Sequence, residues 1–159
     1  MAMIVAGTVS GNTPESNTYP SASGQTFLKG APVKLDASGN VIEAAAGTDP
    51  LLGVAQHDAQ ADFTGGQDVA PVAKVCMVAM ANDDTIFSIR LLAATAAAAA
   101  DIGKKGLLTK VSGDWRLDPA GASGTCSIIR YGQGTTTGRT GAQGAQYLCK
   151  IVAAGRLGA

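Results

Sequence analysis

Residues 69–91, VAPVAKVCMVAMANDDTIFSIRL, decide the fold class. From Val69 to Met80 the only charge is Lys74, so this run is apolar enough to be covered on both faces or to lie against a partner. Asn82-Asp83-Asp84 then supplies turn residues. Beyond it, Thr85, Phe87, Ile89 and Leu91 alternate with Ser88 and Arg90, the period of a half-buried strand. Read together, the two runs predict a β-hairpin at the centre of the domain.

Working outward, the same logic predicts strands on both sides. Val33–Asp36, the turn Ala37-Ser38-Gly39-Asn40 and Val41–Glu43 read as strand, turn, strand, as do Gly106–Val111, Ser112-Gly113-Asp114 and Trp115–Asp118. In the second unit Trp115 and Leu117 should face inward, with Arg116 and Asp118 toward water. Gln25–Lys29, Leu51–Gln56, Thr125–Tyr131 and Ala145–Val152 complete the expected strands, with Tyr147, Cys149 and Ile151 on an inner face. Thr95 is placed to cap a short helix over Ala96–Asp101, and Gly103 to end it, forming a plug over one end of the sheet system. The Gly-rich run 132–144 reads as a long flexible loop. The expected fold is therefore mainly β, a small β-barrel or β-sandwich with one short helix and an extended N-terminal arm.

The arm comes from residues 10–24, SGNTPESNTYPSASG, which contain one large side chain, Tyr19. Structureless connections of this length are uncommon inside a compact domain. The chain accordingly divides into 1–24, an N-terminal segment and flexible arm, and 25–159, a single β-rich domain. On this reading, deleting residues 1–24 leaves the fold intact.

Composition narrows the function. Twelve Lys and Arg balance twelve Asp and Glu in 159 residues, so no basic excess exists to neutralise phosphates, and no nucleic-acid partner is expected. The longest uncharged apolar run, Leu91–Ala100, is half of the ~20 residues a membrane-spanning helix needs, so no membrane partner is expected. No Lys or Arg precedes Lys29, which leaves no charged region for a secretory signal. Charge is nevertheless uneven. Residues 1–70 set Lys29 and Lys34 against seven carboxylates, a net −5, and residues 71–159 set ten Lys or Arg against five Asp, a net +5. Such halves can pair within one fold or between neighbouring copies.

Chemistry is sparse. The single histidine, His57, stands beside Asp58, and adjacent strand positions point to opposite faces, which disfavours a dyad. Cys76, Cys126 and Cys149 are 50 and 23 residues apart without a CxxC, and read as reduced core residues rather than zinc ligands. Gly132-Gln-Gly134 with Gly138 fits neither a phosphate loop nor a dinucleotide fingerprint. Asp58, Asp62, Asp68 and the Asp83-Asp84 pair lack calcium-loop spacing. No catalytic residue, metal site, cofactor or small-molecule substrate is expected.

Five segments carry a family resemblance: Lys29–Asp36 (KGAPVKLD), Ser38–Val41 (SGNV), Gly47–Ala55 (GTDPLLGVA), Ala99–Lys104 (AADIGK) and Trp115–Asp118 (WRLD). Together, across most of residues 25–152, they resemble the decoration, or cement, proteins of tailed-bacteriophage heads. The resemblance implies a structural virion protein on the outer surface of the expanded capsid, made in the host cytoplasm. Its partners would be the major capsid protein and itself, as a homotrimer. Asn12, Pro14, Glu15, Asn17, Tyr19 and Pro20 of the arm would then contact the shell. Two alternatives stay open: another phage structural protein, such as a tail-tube or fibre component, and a ligand-binding β-barrel or enzyme.

Overall fold

Alternation of large and polar side chains sets the strands of the computed structural model, which describes residues 3–45, 49–59, 75–121 and 124–152. Eleven strands are present among them: β1 (Ile4–Thr8), β2 (Ser16–Pro20), β3 (Pro32–Leu35), β4 (Val41–Glu43), β5 (Gly53–Ala55), β6 (Val75–Met80), β7 (Thr85–Arg90), β8 (Lys105–Val111), β9 (Asp114–Asp118), β10 (Cys126–Tyr131) and β11 (Gln146–Ile151). They form two antiparallel sheets, one ordered β1-β7-β11-β10-β8-β9 and the other β2-β6-β5-β3-β4. The architecture is a β-sandwich of two curled sheets. Each sheet bends far enough for a single parallel bridge between distant strands, Leu91 to Leu117 in the first and Ser21 to Val41 in the second. One bridge is not a ladder, so neither sheet closes into a barrel. No helix among the described residues is long and apolar enough to cross a membrane.

The two short hairpins form as their turn residues require. Ser112 and Gly113, at φ +50° and +86°, link β8 to β9 in a two-residue loop whose left-handed backbone matches the twist of paired strands. Between β3 and β4, the Asp36 carboxylate accepts from the Ser38 and Asn40 amides, both at 2.8 Å. Inward positions then merge into one core. Phe87, Ile89, Trp115, Leu117, Tyr147, Cys149 and Ile151 from the first sheet are buried with Val33, Val41, Val54, Cys76 and Val78 from the second. The alternation read from 85–91, 115–118 and 147–151 is thus the observed one.

The central hairpin is different. Strands β6 and β7 do not pair: β6 lies between β2 and β5, and β7 between β1 and β11. Both edges of each strand are therefore occupied. Asn82–Asp84 serves as a corner from one sheet to the other, where the Asn82 side-chain oxygen accepts from the Asp84 and Thr85 amides and the Thr85 hydroxyl at 2.8–3.0 Å. A turn of this chemistry reverses or redirects a chain equally well, and the strands' other partners decide which. The Val69–Lys74 part of the long apolar run lies outside the described residues.

Four smaller expectations are corrected. The helix over 96–101 contracts to one 3-10 turn, Ala99–Asp101, without a side-chain cap from Thr95. It is held by Tyr147, whose hydroxyl donates to Asp101 Oδ2 at 2.7 Å and accepts from the Ala98 amide at 2.8 Å. Ala97, just before the turn, is buried. Residues 25–29 form no strand; Phe27 is buried from an irregular segment. Within 51–56 only Gly53–Ala55 is strand. The 132–144 run is a series of turns laced to the chain at 93–97, with the Gly138, Gly141 and Ala142 amides donating to the Ala97, Thr95 and Ala93 carbonyls and the Ala97 amide to the Arg139 carbonyl. Arg139 also donates to the Gly134 and Gln143 carbonyls, which fixes the loop from inside. Glycine supplied the turns, and backbone pairing to the neighbouring segment supplied the order.

The charge halves interleave in the sheets, since β1 pairs with β7 and β2 with β6. Lys110 to Glu43, at 2.7 Å, is an ion pair across the halves, while Lys34–Asp49, Lys104–Asp101 and Arg116–Asp114 each stay within one.

Candidate functional site: the N-terminal strand edges

The stretch expected to be a free arm contains an edge strand. β2 runs antiparallel to β6, with Asn17 opposite Val78 and Tyr19 opposite Cys76. Tyr19 is half-buried, and its hydroxyl lies 3.6 Å from Met80 Sδ. Low apolar content did not prevent pairing, because an edge strand buries little beyond its backbone and one anchoring ring. Prolines are tolerated there for the same reason. Of the shell-contact candidates, the structure brings Asn17, Tyr19 and Pro20 together on β2 with Glu15 just before it, and leaves Asn12 and Pro14 in the preceding connector. Glu15 accepts from Asn17 Nδ2 and from Asn82 Nδ2, tying β2 to the sheet corner.

Hydrogen-bond phase shows which groups β2 leaves free. The Met80 amide donates to the Glu15 carbonyl at 2.9 Å, which makes 15 and 80 a hydrogen-bonded pair. Such pairs alternate along an antiparallel ladder, so Asn17 and Tyr19 bond to β6. Ser16, Thr18 and Pro20 therefore turn their backbone polar groups away from it. Pro20 stands at a position where its missing N–H costs nothing. The open edge offers the amides and carbonyls of Ser16 and Thr18; just past it the chain bridges β4 at Ser21–Val41, with the Ala22 amide donating to the Val41 carbonyl at 3.1 Å. A second N-terminal edge, β1, flanks β7 on the other sheet.

The turn before β2 is pinned by charge. Asp84 accepts from the Ser10 hydroxyl at 2.6 Å and the Ser10 amide at 2.7 Å. These bonds hold its carboxyl below the usual carboxylate range. Asp36 is lowered likewise, chiefly by the Asn40 amide. A carboxyl depressed in the folded state stabilises the fold above its unfolded value of about 3.9, and that contribution is lost as pH falls through the folded value. The urea midpoint should therefore fall on acidification from pH 5 to pH 3, and Asp84→Asn should flatten part of that slope; an unchanged slope would remove the Ser10 tie from the account.

The remaining chemistry-bearing residues serve structure. His57 Nε2 accepts from the Met77 amide and Nδ1 faces the Asp58 carbonyl, each at 2.9 Å, so both ring nitrogens are engaged with backbone. All three cysteines are buried free thiols. Burial pushes Cys76 up to about 11, and contact with the Cys126 thiol, with burial, raises Cys149 well above its ordinary value. Neither is poised as a nucleophile. Among the described residues no cluster of His, Cys, Asp or Glu has the makings of a metal site.

One arrangement escaped sequence reading. Glu43 accepts from Lys110 Nζ at 2.7 Å and from the buried Trp115 Nε1 at 2.8 Å, beside a cleft of about 240 Å³ lined also by Phe27, Lys29 and Asp114. Its two best-placed charges satisfy each other, so Glu43 bridges the sheets rather than addressing a ligand. Residues 43, 110 and 115 are far apart in sequence, and no local signal links them. Compared with family models, curated proteins and solved structures, the chain matches none.

Proposed function

We propose that this chain is a capsid decoration protein, binding the outer surface of an expanded tailed-phage head and stapling neighbouring capsid subunits. The observation that carries the reading is the open edge at Ser16–Thr18, backed by a β-sandwich body. An extended segment of a partner adds to such an edge through main-chain hydrogen bonds. A second edge at β1, on the other sheet, gives one molecule two places to grip, as a staple between subunits requires. The segment resemblance at 29–55, 99–104 and 115–118 supports the same reading. Binding of linked copies would raise avidity roughly 100-fold or more without new contacts, which is what trimerisation contributes.

The double variant Ser16→Pro/Thr18→Pro tests this. It removes the two outward N–H groups and leaves the bonds of Asn17 and Tyr19 to β6 in place. Cosedimentation with expanded, undecorated heads of the virus encoding the chain should show wild type on the heads and the variant in solution, with both proteins folded by circular dichroism. A folded variant that binds as wild type does would remove the β2 edge from the mechanism. Wild-type protein that ignores heads and polymerises alone into rings or filaments would favour a tail-tube or fibre component instead.

A further inference from the structure

Strands β1, β7, β10 and β11 lie side by side in the first sheet, and none of them contains Asp or Glu. Their outward positions hold Arg90, Arg130 and Lys150, and Lys105 of β8 continues the row beside Ser127. None of these four cations is in an ion pair among the described residues, and Arg90 Nε is buried without a hydrogen-bond partner. Lys150 Nζ donates to the Asp83 carbonyl at 3.4 Å, and its charge acts on the nearby Asp84 carboxylate without forming an ion pair among the described residues. Apolar side chains stand on the β1 side of the same face: Ile4, 47% exposed on the edge strand, stands opposite Ser88, which stands opposite Leu148, which stands opposite Arg130. Ile86 adds to them, half-buried between the inward Thr85 and Phe87.

We infer that this face is a second docking surface, and that it receives a carboxylate-bearing surface of the capsid shell. Exposed apolar side chains beside a charged margin are the make-up of a protein–protein contact. Cations outside any ion pair complement an acidic partner, steer its approach and reject a basic one. A polyanion such as nucleic acid fits less well, because the chain is neutral overall and the β1 side of the face is apolar. The partner's identity rests on the decoration reading, whereas the face itself rests on strand composition and register.

The test is Lys105→Glu/Arg130→Glu, which reverses two exposed charges and disturbs no buried group. Binding to expanded heads is measured at 50 and 300 mM salt. Wild type should weaken as salt rises; the variant should bind roughly tenfold more weakly at low salt, with a flatter salt dependence. A variant that binds like wild type overturns the face and leaves the decoration reading standing. If wild type ignores heads altogether, the decoration reading fails, and NMR titration of the free protein decides the face. Shifts at Ser88, Leu148 and Arg130 with a peptide of alternating Glu and Leu would then retain an acidic protein partner. No shifts there, or stronger ones with a 20-base-pair DNA duplex or phosphatidylserine vesicles, would overturn it. So would sedimentation in which wild type self-associates and the variant does not, since the face would then belong to a second copy.

Discussion

Ile89→Asp is expected to abolish cooperative folding. Ile89 is 1% exposed, lies opposite Tyr147 on β11 and belongs to the core common to both sheets. The described core around it is apolar, and leaving a charge or an unsatisfied acid in that position costs about 4 kcal/mol or more. Whole domains are stable by only about 5–15 kcal/mol. Trp115, the single tryptophan and itself buried, reports the outcome through its fluorescence. The variant should show a solvent-exposed emission and no urea transition, while Ile86→Asp, on the outward face of the same strand, should retain a transition. A native-like Ile89→Asp protein would mean that β7 is out of register by one residue.

Deletion of residues 1–24 should destabilise the domain by about 3 kcal/mol or more, the reverse of what an independent arm implies. The deletion removes both N-terminal edge strands and Met3, which is 1% exposed and whose amide donates to the Gly30 carbonyl at 2.8 Å. Loss of a buried Met side chain alone costs about 2–5 kcal/mol. It also takes Tyr19 from its place beside Cys76 and the Ser10 donors from Asp84. Thermal unfolding of the truncated chain checks this, and an unchanged midpoint would show that the segment is an appendage after all. Truncation therefore confounds folding with binding, and the edge prolines at 16 and 18 separate them.

What could be read from the chain in advance follows a physical division. Inward and outward assignments at 85–91, 115–118 and 147–151 were legible, because a two-residue period is local and burial amplifies it. The turns at 36–40 and 112–113 were legible for the same reason. Pairing partners were not. Asn82–Asp84 carries the residues of a reversal, yet β6 and β7 each bond elsewhere, a choice made by strands more than twenty residues away. The arm was misread because SNTYP lacks the apolar content of a core strand, whereas an edge strand draws its stability from one neighbour's backbone. The basic face is visible in composition only once strands β1, β7, β11 and β10 are known to be adjacent. Glu43 meets Trp115 through no sequence signal at all.

Electron cryomicroscopy of expanded heads mixed with the wild-type chain addresses the central proposal most directly. The account predicts density for this β-sandwich on the outer surface, with a capsid segment running beside Ser16–Thr18 as an added strand. Heads that stay bare, or density in which the edge of β2 faces solvent, would contradict it.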